Sequence, residues 1–191
     1  YDMTQAEGLI VSLLTDGKET DCVEEGQKAA VITNQTPFYG ESGGQVGDTG
    51  TIAIADSVLF EVEDTQKKVG DLFIHLGTLK KGSLKVGQNV LMSVDVERRK
   101  ATARHHSVTH LLQAALRKIL GEHVTQKGSS VRPDGMRFDF SQPRQITFEE
   151  LRCVENEVNR NILKNLEVTT RLMSPETAVK EGAMALFGEK Y

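Results

Sequence analysis

Apolar and polar positions alternate along the first half of the chain and recur at helical spacing along the second. "KAAVIT" (Lys28–Thr33), "GTIAIADSVLFEVED" (Gly50–Asp64), "DLFIHLG" (Asp71–Gly77) and "NVLMSVDVE" (Asn89–Glu97) keep the two-residue period of strands with one buried face. Glycine-bearing turns, "EEGQ", "KKVGD" and "KKGSLKVGQ", separate these runs, and no helical pattern intervenes. Short strands so spaced favour a small barrel or sandwich. The opening "MTQAEGLIVSLLTDG" suits a short helix or a strand. Near Val96 the period changes. Val108, Leu111, Leu112, Ala115, Leu116, Ile119 and Leu120 recur as one face of a helix, with Arg117 and Lys118 in its last turn and Gly121 as its stop. A second helix starts at the capping box "TFEE", where Thr147 caps and Glu150 reaches back, and Leu151, Val154, Val158, Ile162 and Leu166 form its apolar stripe. "GMRFDFS" (Gly135–Ser141) and "EVTTRLMS" (Glu167–Ser174) alternate as strands, and Pro175 can open a last short helix, "PETAVKEG". The sum is an α+β chain with a boundary near residue 97: a barrel-like domain over 1–97 and a mixed domain over 98–191.

Composition narrows the class without naming it. No apolar run approaches the roughly 18 residues of a membrane span, and no signal-peptide pattern is present. Cys22 and Cys153 lack any framework spacing, so free thiols in a reducing compartment are expected. The chain opens on Tyr1 in mid-pattern, which suggests a piece of a longer polypeptide. The net charge of −4 conceals a division: residues 1–97 carry 7 Lys/Arg against 16 Asp/Glu, whereas residues 98–144 carry 10 against 3. A basic middle segment suits a phosphate backbone, and it equally suits solvated helix faces.

That segment contains "RHHSVTH". At about 100° per residue His106 and His110 lie roughly 40° apart, on the side of the helix away from the leucine stripe. Two surface histidines are the plain reading. The chemical one is half of a divalent metal site, with Zn²⁺ the best match to paired imidazoles. It is not H-E-x-x-H, because Ser107 stands where a general-base glutamate would be. His105 points about 100° away, and Cys22, His123 and Cys153 have no paired spacing.

"TPFYGESGGQVGDTG" places five glycines in fifteen residues, Thr36–Gly50. As a plain reading it is a long hairpin loop using positive φ. A strand rather than a helix follows, and G-K-[ST] is absent, which excludes a nucleotide triphosphate loop. Phe38, Tyr39, Glu41 and Gln45 are the side chains there that could face a groove.

Four blocks taken together, "TPFYGESGGQVGDTG", "ARHHSVTHLLQAALRKILGEHVTQKGSSV", "RFDFS" and "GAMALFGEKY", resemble the editing region of alanyl-tRNA synthetases, in order and over the whole chain. The resemblance implies a small glycine-rich β-barrel followed by an α/β editing core of antiparallel sheet and helices, related to AlaX-type proteins and to the threonyl-tRNA synthetase editing domain. It also implies a zinc motif whose first half is His106 and His110 and whose remaining ligands, C-x-x-x-H, are expected beyond Tyr191. Thr109 and Gln126 match positions of the editing pocket and are the catalytic candidates. Arg137 and Asp139 are candidates to line it, and Arg98, Arg99, Lys100 and Arg104 would contact the acceptor end of tRNA(Ala). The implied substrate is tRNA(Ala) carrying serine or glycine, in a cytoplasmic, ATP-using ligase without membrane or DNA partners. Such a site has a physical reason to exist. One methyl(ene) group discriminates by only about 1–3 kcal/mol, so an alanine pocket needs a second, hydrolytic sieve. A free-standing AlaX-type hydrolase and a non-catalytic tRNA-binding module are the alternatives.

Overall fold

Residues 3–169 and 171–183 are described by a computed structural model of the chain. The opening segment is a strand, β1 (Gln5–Thr15), which runs through a tight turn at Asp16 and Gly17 into β2 (Lys18–Thr20). β3 (Cys22–Glu24), β4 (Lys28–Thr33), β5 (Gly50–Ile54), β6 (Val58–Lys68), β7 (Leu72–Lys81), β8 (Ser83–Lys85) and β9 (Asn89–Val94) follow. Six of these form an antiparallel ring in the order β1-β4-β7-β6-β5-β9, and β9 pairs back onto β1 through Gln5↔Ser93 to Leu9↔Asn89. The sheet is therefore a closed barrel, not a sandwich. Ile10, Leu13, Val31, Ile52, Phe60, Val62, Leu79 and Met92 fill it, each at most 1% exposed. Burying each large aliphatic side chain is worth about 1.5–3 kcal/mol, so this interior is the main stabilising element of the first half. The small β3–β8 ladder adds Val23 and Leu84 to the same core.

Two segments differ from the sequence reading. "GTIAIADSVLFEVED" is two strands, because Ala55 takes φ +43° and Ser57 bonds back to the Ile54 carbonyl through both its N–H (3.1 Å) and its hydroxyl (2.8 Å). Asp56 and Ser57 carried that turn signal, but the unbroken alternation masked it. The glycine stretch is not a hairpin loop. β4 pairs with β1 and β7, and β5 with β6 and β9, so residues 34–49 cross between strands that are not neighbours.

β9 ends where Asp95 caps α1 (Val96–Leu120), its carboxylate accepting from Arg98 N at 3.0 Å. Glu97 in the first turn and Arg117 and Lys118 in the last complement the helix dipole. β10 (Gln126–Arg132) and β11 (Gly135–Phe140) form a two-stranded ribbon, followed by α2 (Phe148–Leu163). The Thr147–Glu150 capping box is present in both directions, at 2.9 and 3.2 Å. Ala115, Leu116, Val124, Val154 and Val158 make a second core, against which Leu111, Leu112, Phe138 and Phe140 pack. Of the expected α2 stripe only Val154 and Val158 are buried. Leu151, Ile162 and Leu166 are exposed, since the core engages α2 along two successive turns alone.

The chain divides into two compact units, Tyr1–Val158 and Asn159–Tyr191. Barrel, α1 and ribbon all belong to the first, although the hydrophobic period changes near residue 97. Within the second, α3 (Pro175–Lys180) is capped by Ser174, whose hydroxyl accepts from Thr177 N at 3.3 Å. Glu167–Ser174 is not a strand among its described residues, having no ladder partner. The "GAMALFGEKY" block lies outside the described residues from Met184 onward. Among the described residues no helix is long and apolar enough to cross a membrane.

Candidate metal and substrate cleft

The crossing loop is bound on both sides. Toward the barrel, Glu41 N bonds to Thr65 O at 2.8 Å and the Thr65 hydroxyl donates to Asp48 O at 2.9 Å. Gly47 lies so close to β6 that a Cβ would meet Thr65 O at 2.1 Å, so no other residue fits without moving backbone. Toward the ribbon, Val131 N bonds to Gly44 O (2.8 Å) and Val46 N to Val131 O (3.1 Å). Gly44 sits at φ +79°, and a Cβ there would meet Ser129 Oγ at 2.6 Å. The glycines thus permit close packing of the loop against both β6 and β10.

One buried ion pair ties the loop to the start of α1. The side chains of Arg99 and Asp48 are only 5% and 6% exposed, and Arg99 Nε donates to Asp48 Oδ2 at 2.9 Å, reinforced by its Nη2. The guanidinium also donates to Met3 O (2.7 Å) and Pro37 O (2.5 Å), and Asp48 Oδ2 accepts Tyr39 N (2.7 Å). Arg99 is therefore withdrawn from the tRNA-facing set: its fork is turned inward and saturated with internal acceptors. Lys100 and Arg104 are exposed, Lys100 pairing loosely with Glu97 at 3.2 Å, and Arg98 is half-buried.

The histidines stand as the helical geometry requires. His106 and His110 are near-parallel, 12° between ring planes and 5.2 Å between centroids. They line an open cleft of about 320 Å³ with Ala103, Ser107, Tyr39 and Gln45, the last two coming from the crossing loop. His106 is half-buried and donates through Nδ1 to Gln45 Oε1 at 2.6 Å. Burial, and then the neighbouring His110, hold its pKa below the usual 6.5, so the ring is neutral and keeps a lone pair. Two imidazoles on one face suit zinc, and they are two of the three or four protein ligands it takes. No group of three or more His, Cys, Asp or Glu side chains able to hold a metal occurs among the described residues.

The other candidates are placed differently. Thr109 is 6% exposed, and its hydroxyl donates to His105 O at 2.9 Å, along the helix. Gln126 begins β10 half-buried, its amide donating to Ser129 Oγ at 3.3 Å. Arg137 and Asp139 form an ion pair at 3.1 Å on β11, on the ribbon face opposite Phe138 and Phe140, which pack on α1. None of these four lines the histidine cleft. His105 is structural, donating through Nδ1 to Arg132 O at 2.8 Å and so tying α1 to the ribbon turn. Gln113, one position missed from sequence, is 6% exposed with its amide nitrogen lacking a partner among the described residues. It completes the i, i+3, i+4, i+7 series His106, Thr109, His110, Gln113, a polar stripe readable from spacing alone.

Comparison with known proteins places the chain. Residues 1–98 match the family described as tRNA synthetases class II (A). The chain is 59% identical along its whole length to the alanine--tRNA ligase of Parvibaculum lavamentivorans, of which it covers 21%. It is 56% identical to that of Paramagnetospirillum magneticum, covering 22%, and 53% identical to that of Nitrobacter winogradskyi, covering 21%. The chain thus spans about a fifth of the length of these relatives. With that family's model matching more than half of the chain, and with similarity to alanine--tRNA ligases along all 191 residues, the chain belongs to the tRNA synthetases class II (A).

Proposed function

We propose that the His106/His110 cleft is a hydrolytic editing site that removes serine or glycine from mischarged tRNA(Ala), within a cytoplasmic ligase that attaches alanine with ATP. The observation that carries this reading is the pair of parallel imidazoles opening onto a cleft whose far wall is the glycine loop. His106 and His110 would hold Zn²⁺ together with ligands from outside the described residues. Bound there, zinc would supply a Lewis acid for the ester carbonyl, a water of lowered pKa, or a fixed position for the terminal adenosine. Tyr39 lines the cleft with the histidines and brings an aromatic surface on which a base or ribose can rest. Lys100 and Arg104, exposed six and two residues before His106 on α1, supply positive charge for the acceptor-end phosphates. Thr109 and Gln126 act on the substrate in this reading only if it reaches past the cleft to the helix–ribbon junction.

The test is deacylation of Ser-tRNA(Ala) and Gly-tRNA(Ala) by the full-length enzyme and its His106→Ala form, with Ala-tRNA(Ala) as control. The intact enzyme should hydrolyse the two mischarged species well above the buffer rate, and His106→Ala should lower this at least about tenfold. Equal rates for the two enzymes would exclude the cleft as the editing site.

A further inference from the structure

We propose that Gln45 is a positioning residue, holding His106 in the Nδ1–H tautomer and thereby turning the Nε2 lone pair toward the cleft. An amide oxygen can only accept, so the 2.6 Å contact between Gln45 Oε1 and His106 Nδ1 puts the proton on Nδ1. The neutral ring has one proton, and Nε2 is left as the basic atom. What Nε2 is for rests on the zinc reading above; which nitrogen carries the proton does not.

The acceptor is held rigidly enough to dictate this choice. Gln45 is 2% exposed, and its backbone closes a reciprocal turn with Ser42, N–H to carbonyl at 2.9 and 3.2 Å. It pairs in parallel with Val131 of β10, between the Gly44 and Val46 hydrogen bonds to that residue. Three residues further on, Asp48 is locked to Arg99, seven positions before His106 on the same helix. The loop is thus tied to α1 at two points about two turns apart, one ionic and structural, the other an oriented acceptor. The glycine stretch thereby acquires a chemical role, the delivery of one amide oxygen to one ring nitrogen. Partners of this kind orient metal-ligating histidines, and losing them typically weakens metal binding about ten- to hundredfold.

The experiment uses the 191-residue chain labelled with ¹⁵N-histidine, and long-range ¹H–¹⁵N correlation spectra near pH 8, where imidazoles are neutral. His106 is assigned by its absence from the His106→Asn spectrum. Wild-type His106 should give a protonated Nδ1 and an unprotonated Nε2. Gln45→Leu should shift it toward a mixture of tautomers, and Gln45→Glu, which keeps an acceptor, should restore the wild-type pattern. A wild-type ring protonated on Nε2, or a Gln45→Leu spectrum identical to wild type, would overturn the proposal. The wild-type measurement decides this even where a variant folds poorly. A second arm titrates Zn²⁺ into the full-length enzyme and its variants against a competing chromophoric chelator. Gln45→Leu should bind about ten- to hundredfold more weakly, with Gln45→Glu close to wild type. Zinc binding unaffected by His106→Asn would remove the zinc reading while leaving the tautomer result standing.

Discussion

Replacing Asp48 by alanine removes the partner of a guanidinium that has almost no access to water. Arg99 would keep the carbonyls of Met3 and Pro37 as acceptors, but the buried guanidinium would lose the Asp48 carboxylate, and Tyr39 N would lose that carboxylate as well. Breaking one side of a buried pair costs about 3–5 kcal/mol, a large share of the roughly 5–15 kcal/mol that holds a typical domain together. Asp48→Asn keeps an oxygen for Tyr39 N and should cost less than alanine. The double change Asp48→Leu with Arg99→Met removes both charges at similar volume and should cost clearly less than the sum of its single changes. Urea unfolding followed by circular dichroism measures each of these proteins, with the slope checked for constancy. A loss under about 1 kcal/mol for Asp48→Ala is what a solvated surface pair gives, and would refute the claim that this pair fastens the loop to α1.

His75, fully buried in the barrel between Thr36 (2.8 Å) and the Val31 carbonyl (2.9 Å), has its pKa pushed below 6.5 by burial. Above 6.5 it is neutral folded and unfolded; below it only the unfolded chain gains the proton. Stability should therefore fall as pH drops from 6.5 toward the folded-state pKa, by at most about 1.4 kcal/mol per pH unit, and His75→Phe should flatten that slope in denaturation between about pH 7 and 5. Gly47→Ala, facing Thr65 O at 2.1 Å, should destabilise by more than about 2 kcal/mol. Gly43→Ala, at φ +57° with open space around it, should cost about 1 kcal/mol, and thermal unfolding will rank the two. Reversing Lys100 and Arg104 to glutamate should weaken tRNA binding and reduce its dependence on salt, measured by filter binding across salt concentrations. The double change Asp48→Leu with Arg99→Met should leave that salt slope unchanged, because the Arg99 charge never reaches the surface.

Much of the local structure was legible in residue patterns. Arg117 and Lys118 before the Gly121 stop, the Thr147–Glu150 box and the roughly 40° offset of His106 from His110 are properties of neighbours a few residues apart, and each appears as expected. Failures arise where long-range pairing decides. Asp56 and Ser57 hold a turn signal beside Ala55, but the unbroken alternation hides it until β5 pairs with both β6 and β9. Arg99 looks like its basic neighbours Arg98 and Lys100, and only Asp48, 51 residues away, turns it inward. Arg137 and Asp139 are a strand-period match to each other, but which ribbon face meets α1 depends on Phe138 and Phe140 entering the second core.

The contact between Gln45 and His106 joins residues 61 positions apart, and that span has a kinetic meaning. α1 can form from local contacts on its own timescale, whereas the loop depends on long-range pairings, with the barrel itself closed by β1 against β9. During synthesis the barrel strands emerge before α1, so the wall of the cleft can be in place when the histidines arrive. A helix formed without that wall would carry imidazoles free to adopt either tautomer. The cleft is thus completed by a contact of high sequence separation, and not by formation of the helix that bears the histidines.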